Sequence, residues 1–129
     1  MRLESEALGL HVIRFFELSM LGGGRSSGGY TQEWVNERVG GRPIEALDKR
    51  LVVTAKRVAD GKLVLFNRGD TGLAVRAASA APEKFEPVRI GAEAYSDGDE
   101  VSPVPIRVAR SLGAKFVIAV DVSAYPETT

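Results

Sequence analysis

Two runs of β-forming residues flank the dipeptide Asp60-Gly61. The first run is LVVTAKRV, residues 51–58, and the second is KLVLFN, residues 62–67. An Asp-Gly turn between two such runs is the strongest short-range signal for a β-hairpin, because glycine accepts the left-handed backbone angles that the turn requires. The chain is therefore expected to contain a sheet, and residues 51–67 are predicted to supply an antiparallel pair of its strands.

Helical signals are found on both sides of the hairpin. Four stretches carry helical periodicity or the usual start and stop residues, namely residues 3–20, 31–39, 71–81 and 102–114. Thr31 and Thr71 are the candidate N-caps of the second and third helices, and Gly40-Gly41 is the predicted stop of the second. Helices are therefore expected to account for much of the chain outside the hairpin.

Three further stretches are predicted to be strands. Two short ones lie around Gly91 in FEPVRIGAEAYSDGDE, residues 85–100, and the third is KFVIAVDVS, residues 115–123. Because the third run is apolar on both faces, it is typical of a strand buried in a parallel sheet. Strands that alternate with helices predict an α/β fold with a mostly parallel sheet flanked by helices, in which Asp121 caps the end of the last strand.

The composition excludes several classes of protein. The chain has 129 residues, 44% of them hydrophobic and 26% charged, which fits one globular domain or part of one. Seventeen basic residues balance seventeen acidic ones, so no net field attracts nucleic acid or an anionic membrane. No apolar run is long enough to span a bilayer and the N-terminus does not resemble a signal peptide, so a cytoplasmic location is expected.

Cysteine is absent and histidine is nearly so. The lack of cysteine excludes disulfides, thiolate zinc sites and cysteine nucleophiles. His11 is the single histidine, and its carboxylate neighbours Glu6 and Glu17 do not share an i,i+4 face with it. We therefore expect neither a metal site nor a cofactor. No glycine-rich phosphate-binding motif follows a strand, so a nucleotide-binding function would rest on fold analogy alone.

A serine-hydrolase pattern occurs at residues 24–28. The sequence GRSSG matches G-x-S-x-G, the nucleophile elbow, in which the serine stands on a tight turn between a strand and a helix. The stretch before this pattern has helical periodicity instead, and the glycines on both sides indicate a loose loop. We therefore expect that Ser26 is not a nucleophile.

A second candidate site lies in YSDGDEVSPVP, residues 95–105. Asp97 stands at the predicted end of a strand, before Gly98, whose backbone freedom fits a turn, and before a helix that begins with prolines. Ligands bind at this edge of open α/β sheets, so Asp97 can serve such a site; alternatively, it only shapes the turn. Asp99 adds a second carboxylate, which would raise the pKa of one of the pair if both faced one cleft.

These motifs carry a resemblance to a known family. The run GLAVRAASAAPEKFEPVRIGAEAYSDGDEVSPVPIRVARSLGAKFVIAVDVS, residues 72–123, resembles the C-terminal half of the bacterial patatin-like phospholipases. The pattern of that half is A-x-R-A-S, a proline, F-x-P-V, D-G-G or D-G-A, P-V-P, L-G-A and V-I-A-V-D. The similarity continues upstream through WVNERVGGRPIEALDKRLVVTAKRVADGKLVLFNRG and extends to residue 3, so it covers nearly the whole chain.

The resemblance implies a three-layer patatin-like fold that is incomplete in this chain. Residues 1–129 would form the C-terminal part of the domain. Within it, residues 1–50 are a helical segment, residues 51–67 are the hairpin, and residues 71–123 are an aspartate-bearing α/β segment.

The resemblance also implies an activity, the hydrolysis of phospholipids or other acyl esters by a Ser-Asp dyad without a cofactor. In the motif Asp97-Gly98-Asp99, Asp97 corresponds to the dyad aspartate. The elbow serine and the glycine-rich oxyanion loop of the family lie upstream of the helix that residues 2–20 resemble, and this chain lacks both. Alone, the chain is expected to be inactive and to associate with itself or with a complementing N-terminal half.

Departures from the family pattern introduce charge into a segment that usually lines the acyl site. Asp99 replaces a glycine or alanine, and Lys56-Arg57 stand where Thr-Asp is usual. Glu83-Lys84 replace a small and an apolar residue. The alternative function is a non-catalytic interaction module, in which the face left by the missing half binds another protein or a second copy of the chain.

Overall fold

The computed structural model of the protein describes residues 26–121. The predicted helix at residues 3–20, His11 and residues 122–123 of the last predicted strand lie outside these residues. The elements in chain order are helix α1 (Gly29–Arg38), a 3-10 turn (Ile44–Ala46), strands β1 (Val53–Arg57) and β2 (Leu63–Phe66), helix α2 (Thr71–Ala78), strands β3 (Val88–Ile90) and β4 (Glu93–Asp97), a 3-10 turn (Gly98–Glu100) and helix α3 (Ile106–Ser111). Within this part of the chain, no helix is both long and apolar enough to cross a membrane.

The predicted hairpin is confirmed. β1 and β2 pair antiparallel in continuous register. Gly61 has a φ of 69°, which is the left-handed conformation that the Asp-Gly turn requires. Asp60 closes the turn, because its carboxylate accepts hydrogen bonds from Lys62 N–H at 3.1 Å and from the Arg57 guanidinium at 2.9 Å.

The sheet has four strands in the order β2-β1-β4-β3, and its three pairings are all antiparallel. The prediction of a mostly parallel sheet is therefore wrong for residues 26–121, although helices and strands are mixed as expected. The reason is that β3 and β4 form a second hairpin across Gly91, whose φ is 63°, and the two hairpins join through β1 and β4. The parallel contact in the described residues is an isolated bridge between Ser26 and Phe85.

Residues 115–121 do not form the buried strand that their apolar pattern predicts. They adopt no strand, and the side chains of Phe116, Ile118 and Val120 are exposed. An apolar run indicates a preference for burial, but it does not supply a neighbouring strand, and none of β1 to β4 pairs with this segment. The sequence predicts that Asp121 caps the end of the last strand. Because no strand forms there, that prediction is wrong.

Helices α1, α2 and α3 agree with three of the predicted helices, but the N-caps of α1 and α2 differ from those predicted. The cap of α1 is Gly28, at a φ of 75°, and not Thr31. The cap of α2 is Asp70, whose carboxylate accepts a hydrogen bond from Leu73 N–H at 2.7 Å. Thr71 is instead the first residue of that helix and is buried.

Helix α2 packs on one face of the sheet and forms the core with it. The buried apolar residues of the two core clusters are Ile44, Val53, Ala74, Ala77, Ala80 and Val88. Phe66 packs against both clusters, and its ring meets Tyr95 edge-on with 5.0 Å between the ring centroids. Ala80 extends this core to the end of β4, where its carbonyl accepts a hydrogen bond from Asp97 N–H.

Helices α1 and α2 meet at Gly72, where no side chain fits between them. A Cβ on Gly72 would overlap the carbonyl oxygen of Gln32 and would lie 2.7 Å from Cγ of Asn36. Asn36 accepts a hydrogen bond from Gly72 N–H at 2.9 Å and donates one to the carboxylate of Asp70 at 3.0 Å. This contact therefore fixes α1 to the N-terminus of α2.

Candidate functional site

Asp97 is the last residue of β4, which is an interior strand of the sheet. It pairs with Ala55 of β1, and its N–H donates a hydrogen bond to the carbonyl of Ala80 at 3.1 Å. Ala55 and Ala80 are both buried. The end of β4 is therefore held between β1 and the segment that follows α2.

The carboxylate of Asp97 is half-buried and only partly satisfied. Oδ1 accepts a hydrogen bond from Asp99 N–H at 2.9 Å, whereas Oδ2 has no hydrogen-bond partner among residues 26–121. Burial raises the pKa of Asp97 above its ordinary value of 3.8, and the charges of Asp99 and Glu100 add to the rise, whereas the Asp99 N–H opposes it. A carboxylate with a raised pKa and one unused oxygen is suited to accept a proton.

The charged residues around the turn act in two ways. Asp99 raises the pKa of Asp97 in the direction expected from the sequence, but burial is the larger cause. Lys56, one of the departures from the family pattern, forms an ion pair with Glu100, and its neighbour Arg57 pairs with the turn of the first hairpin. Neither cation forms an ion pair with Asp97. In the part of the chain that the structure covers, no group of three or more His, Cys, Asp or Glu side chains is arranged to hold a metal ion.

Gly98 is required for a reason different from the one that the sequence suggested. Its backbone does not adopt the left-handed conformation. A Cβ at this position would instead lie 3.0 Å from the carbonyl oxygen of Thr54 and 3.3 Å from Cα of Ala55, which is closer than ordinary contact. The missing side chain therefore lets the turn that follows Asp97 approach β1.

Ser26 forms no hydrogen bond with Asp97. Its backbone pairs with the segment after α2, through hydrogen bonds of 2.9 Å to the carbonyl of Lys84 and from Glu86 N–H. Its hydroxyl oxygen accepts a hydrogen bond from Gly28 N–H at 3.2 Å, which closes a local turn. The first two residues of the GRSSG pattern lie outside the described residues. The geometry around Ser26 thus supplies no general base from residues 26–121.

An apolar groove near this turn was not predicted from the sequence. It has a volume of about 450 Å³ and lies between α3 and the start of β1. Its lining includes Val52, Thr54, Pro105, Val108 and Leu112. Thr54 also contacts Gly98, so the groove and the turn share a wall. The alternation of Val52 and Thr54 with buried neighbours was the available signal, but it could not reveal that α3 would pack against that face.

Ser96 was also overlooked in the sequence. Its side chain is buried, and its hydroxyl lacks a hydrogen-bond partner within residues 26–121. Ser96 pairs with Lys56 on β1, so the two side chains share one face of the sheet, while Asp97 projects from the other. It is therefore not a partner of the Asp97 carboxylate.

The raised pKa of Asp97 predicts a pH-dependent gain of stability in Asp97→Asn. Ionising a carboxyl whose folded-state pKa is raised costs folding free energy, and this cost is absent below the ordinary value of 3.8 and develops as the pH rises through the folded-state pKa. Asparagine keeps an acceptor for Asp99 N–H without the charge. Urea midpoints should therefore be higher for the variant than for the parent at pH 7, and equal at pH 3.

Asp60→Asn is a control for which the expected change in stability at pH 7 has the opposite sign. The hydrogen bond from Lys62 N–H, with Arg57 nearby, lowers the pKa of Asp60. Its stabilising contribution is therefore present above the ordinary pKa and is lost as the pH falls through the lowered one. This variant should be less stable than the parent at pH 7. An Asp97→Asn variant that lost stability at pH 7 would show that the carboxylate is not destabilised by burial.

The chain is similar, at a distance, to several known proteins. No family model matches the chain. Over 89 residues, which are 69% of the chain, it is 30% identical to an uncharacterised NTE family protein of Mycobacterium bovis and to two of Mycobacterium tuberculosis. The chain spans only 25% of the length of these relatives. Along these 89 residues, the chain is thus similar to NTE family proteins.

Proposed function

We propose that this chain is the aspartate-bearing part of a patatin-like lipid acyl hydrolase, with Asp97 as the aspartate of a Ser-Asp dyad. The observation that carries the proposal is the half-buried carboxylate of Asp97, which has one oxygen held by Asp99 N–H and the other unused within residues 26–121. In this assignment, residues 1–50 form a helical segment, residues 51–67 the hairpin and residues 71–123 the aspartate-bearing segment of the domain.

The similarity to NTE family proteins supports the assignment to the patatin-like lipid acyl hydrolases, because the NTE family is related to the patatin-like phospholipases. Since the 89 matched residues make up only 25% of each relative's length, we assign the activity to a unit larger than this chain.

The chemistry follows from the position of the unused oxygen. A serine on a G-x-S-x-G elbow would donate its hydroxyl proton to Oδ2 of Asp97 and attack the carbonyl carbon of the ester. Backbone N–H groups of a glycine-rich loop would stabilise the oxyanion that forms. The alcohol then leaves with the proton from Asp97, and water hydrolyses the acyl-enzyme by the same route. The raised pKa of Asp97 makes the carboxylate a better proton acceptor than an ordinary aspartate.

Reconstitution tests this proposal. The chain should show no hydrolysis of short acyl esters above a scrambled control, because loss of the nucleophile typically costs on the order of a million-fold in turnover. Fusion to, or co-expression with, the elbow-bearing half of a related patatin-like protein should give measurable hydrolysis. Alanine at the elbow serine should remove this activity, and Ser26→Ala should not change it. Activity of the chain alone that disappears in Ser26→Ala would instead make GRSSG the elbow.

A non-catalytic interaction module is the second candidate. The observation that favours it is the exposure of three apolar side chains in the segment after α3. A reconstituted protein that folds, forms a complex and hydrolyses no ester would support this function in place of the first.

A further inference from the structure

The segment of residues 115–121, KFVIAVD, presents apolar side chains to solvent in a regular pattern. Phe116, Ile118 and Val120 are 83%, 80% and 72% exposed. These residues alternate along the chain, so in an extended conformation they point to one face. Monomeric proteins rarely leave such a row uncovered.

The charges at the two ends of the segment indicate what can pair with it. Lys115 and Asp121 flank the apolar run at equal distances from Ile118. If two copies align antiparallel about Ile118, each Lys115 stands opposite an Asp121, and each Phe116 stands opposite a Val120. Opposite charges and apolar pairs directly across two antiparallel strands are both stabilising. A parallel alignment in register would instead place like charges opposite each other.

We propose that two copies of this chain associate through antiparallel pairing of residues 115–121, with the two-fold axis at Ile118. The register is self-complementary, as an interface with two-fold symmetry requires. Pairing joins the apolar rows of both copies on one face. The proposal does not depend on the dyad, because it assigns no role to Asp97.

A charge exchange tests the register by sedimentation velocity over a concentration series. The parent chain should change from monomer to dimer as its concentration rises. Lys115→Asp makes both charge pairs repulsive, and the dissociation constant should rise on the order of tenfold. Adding Asp121→Lys restores both pairs and should return the constant to the parental value. Because both side chains are exposed, neither substitution affects the core.

Cysteine cross-linking tests the two-fold axis itself, since the natural chain has no cysteine. Ile118→Cys should form a covalent dimer under mild oxidation, because the residue faces its own copy across the axis. Phe116→Cys faces Val120 of the second copy and should cross-link far less. Equal cross-linking at both positions, or no rescue by the charge exchange, would overturn the proposed register. A parent chain that is monomeric at every concentration, and that associates only with an elbow-bearing half, would overturn self-pairing altogether.

Discussion

In an enzyme reconstituted from this chain and an elbow-bearing half, Asp97→Asn should lower kcat for a short acyl ester by about 10²- to 10⁴-fold. The asparagine side chain can still accept the hydrogen bond from Asp99 N–H, but it cannot take the proton of the serine. The same substitution is expected to raise stability at pH 7, so its effect on turnover is not explained by unfolding. The measurement is kcat at saturating ester, with the melting temperature recorded on the same preparation.

Two variants of neighbouring carboxylates control this result. Asp99→Gly keeps the backbone N–H that holds Asp97 and removes a like charge, so the pKa of Asp97 falls and the carboxylate stays ionised to lower pH. Because only the ionised carboxylate can accept the serine proton, kcat should rise at acidic pH. Asp121→Asn removes a carboxylate outside the sheet and should leave kcat unchanged. An Asp97→Asn enzyme with the parental kcat would contradict the dyad assignment and would leave Asp97 as a residue that shapes the turn.

Gly72→Ala should destabilise the fold by about 3 kcal/mol or more, because the new methyl group overlaps the backbone of α1 and displaces the side chain of Asn36. The carbonyl of Gln32 belongs to a helix and cannot move aside as the end of a flexible side chain can. For a domain of this size, the melting temperature should fall by about 10 °C. Thermal unfolding followed by circular dichroism measures the effect.

Gly29→Ala is the matched control for Gly72→Ala. Gly29 lies in the first turn of α1, and among residues 26–121 a Cβ there would meet only Oγ of Ser27, at an ordinary distance of 3.6 Å. Alanine is a better helix former than glycine, so this variant should be as stable as the parent or slightly more so. Equal melting temperatures for the parent and Gly72→Ala would mean that α1 and α2 do not pack this closely.

Elements whose residues are close together in the chain, such as the β1–β2 hairpin, were predictable from the sequence. The exact residue at which a helix begins was not. The Asp60-Gly61 turn and its flanking β-forming runs are sufficient for the hairpin, because the two strands lie next to each other in the chain. Asp70 and Thr71 both have side chains that can cap a helix. Asp70 accepts the hydrogen bond from Leu73 N–H. A helix that began one residue later would use Thr71 as its cap instead, and the local sequence preferences do not distinguish the two starts.

Structure set by distant residues was not predictable. The pairing of residues 55 and 97, which are 42 positions apart, depends on the close approach of Gly98 to Thr54, and the sequence contains no signal for it. The same limit explains the wrong prediction for residues 115–121. Their composition indicates a strand with both faces covered, but it does not identify the neighbours. Asp97 was identified through its motif, whereas its burial and the adjacent groove became evident only from the fold.

The junction between β1 and β4 also affects how fast the protein folds. Each hairpin closes over a short turn, and such closures take about 1–10 μs. Pairing β4 with β1 must instead enclose β2, α2 and β3, so more chain entropy is lost before the contact compensates for it. We expect the arrival of β4 at β1 to set the folding rate. The turn that holds the Asp97 carboxylate is completed in that same step, so the candidate catalytic group is among the last parts of the molecule to form.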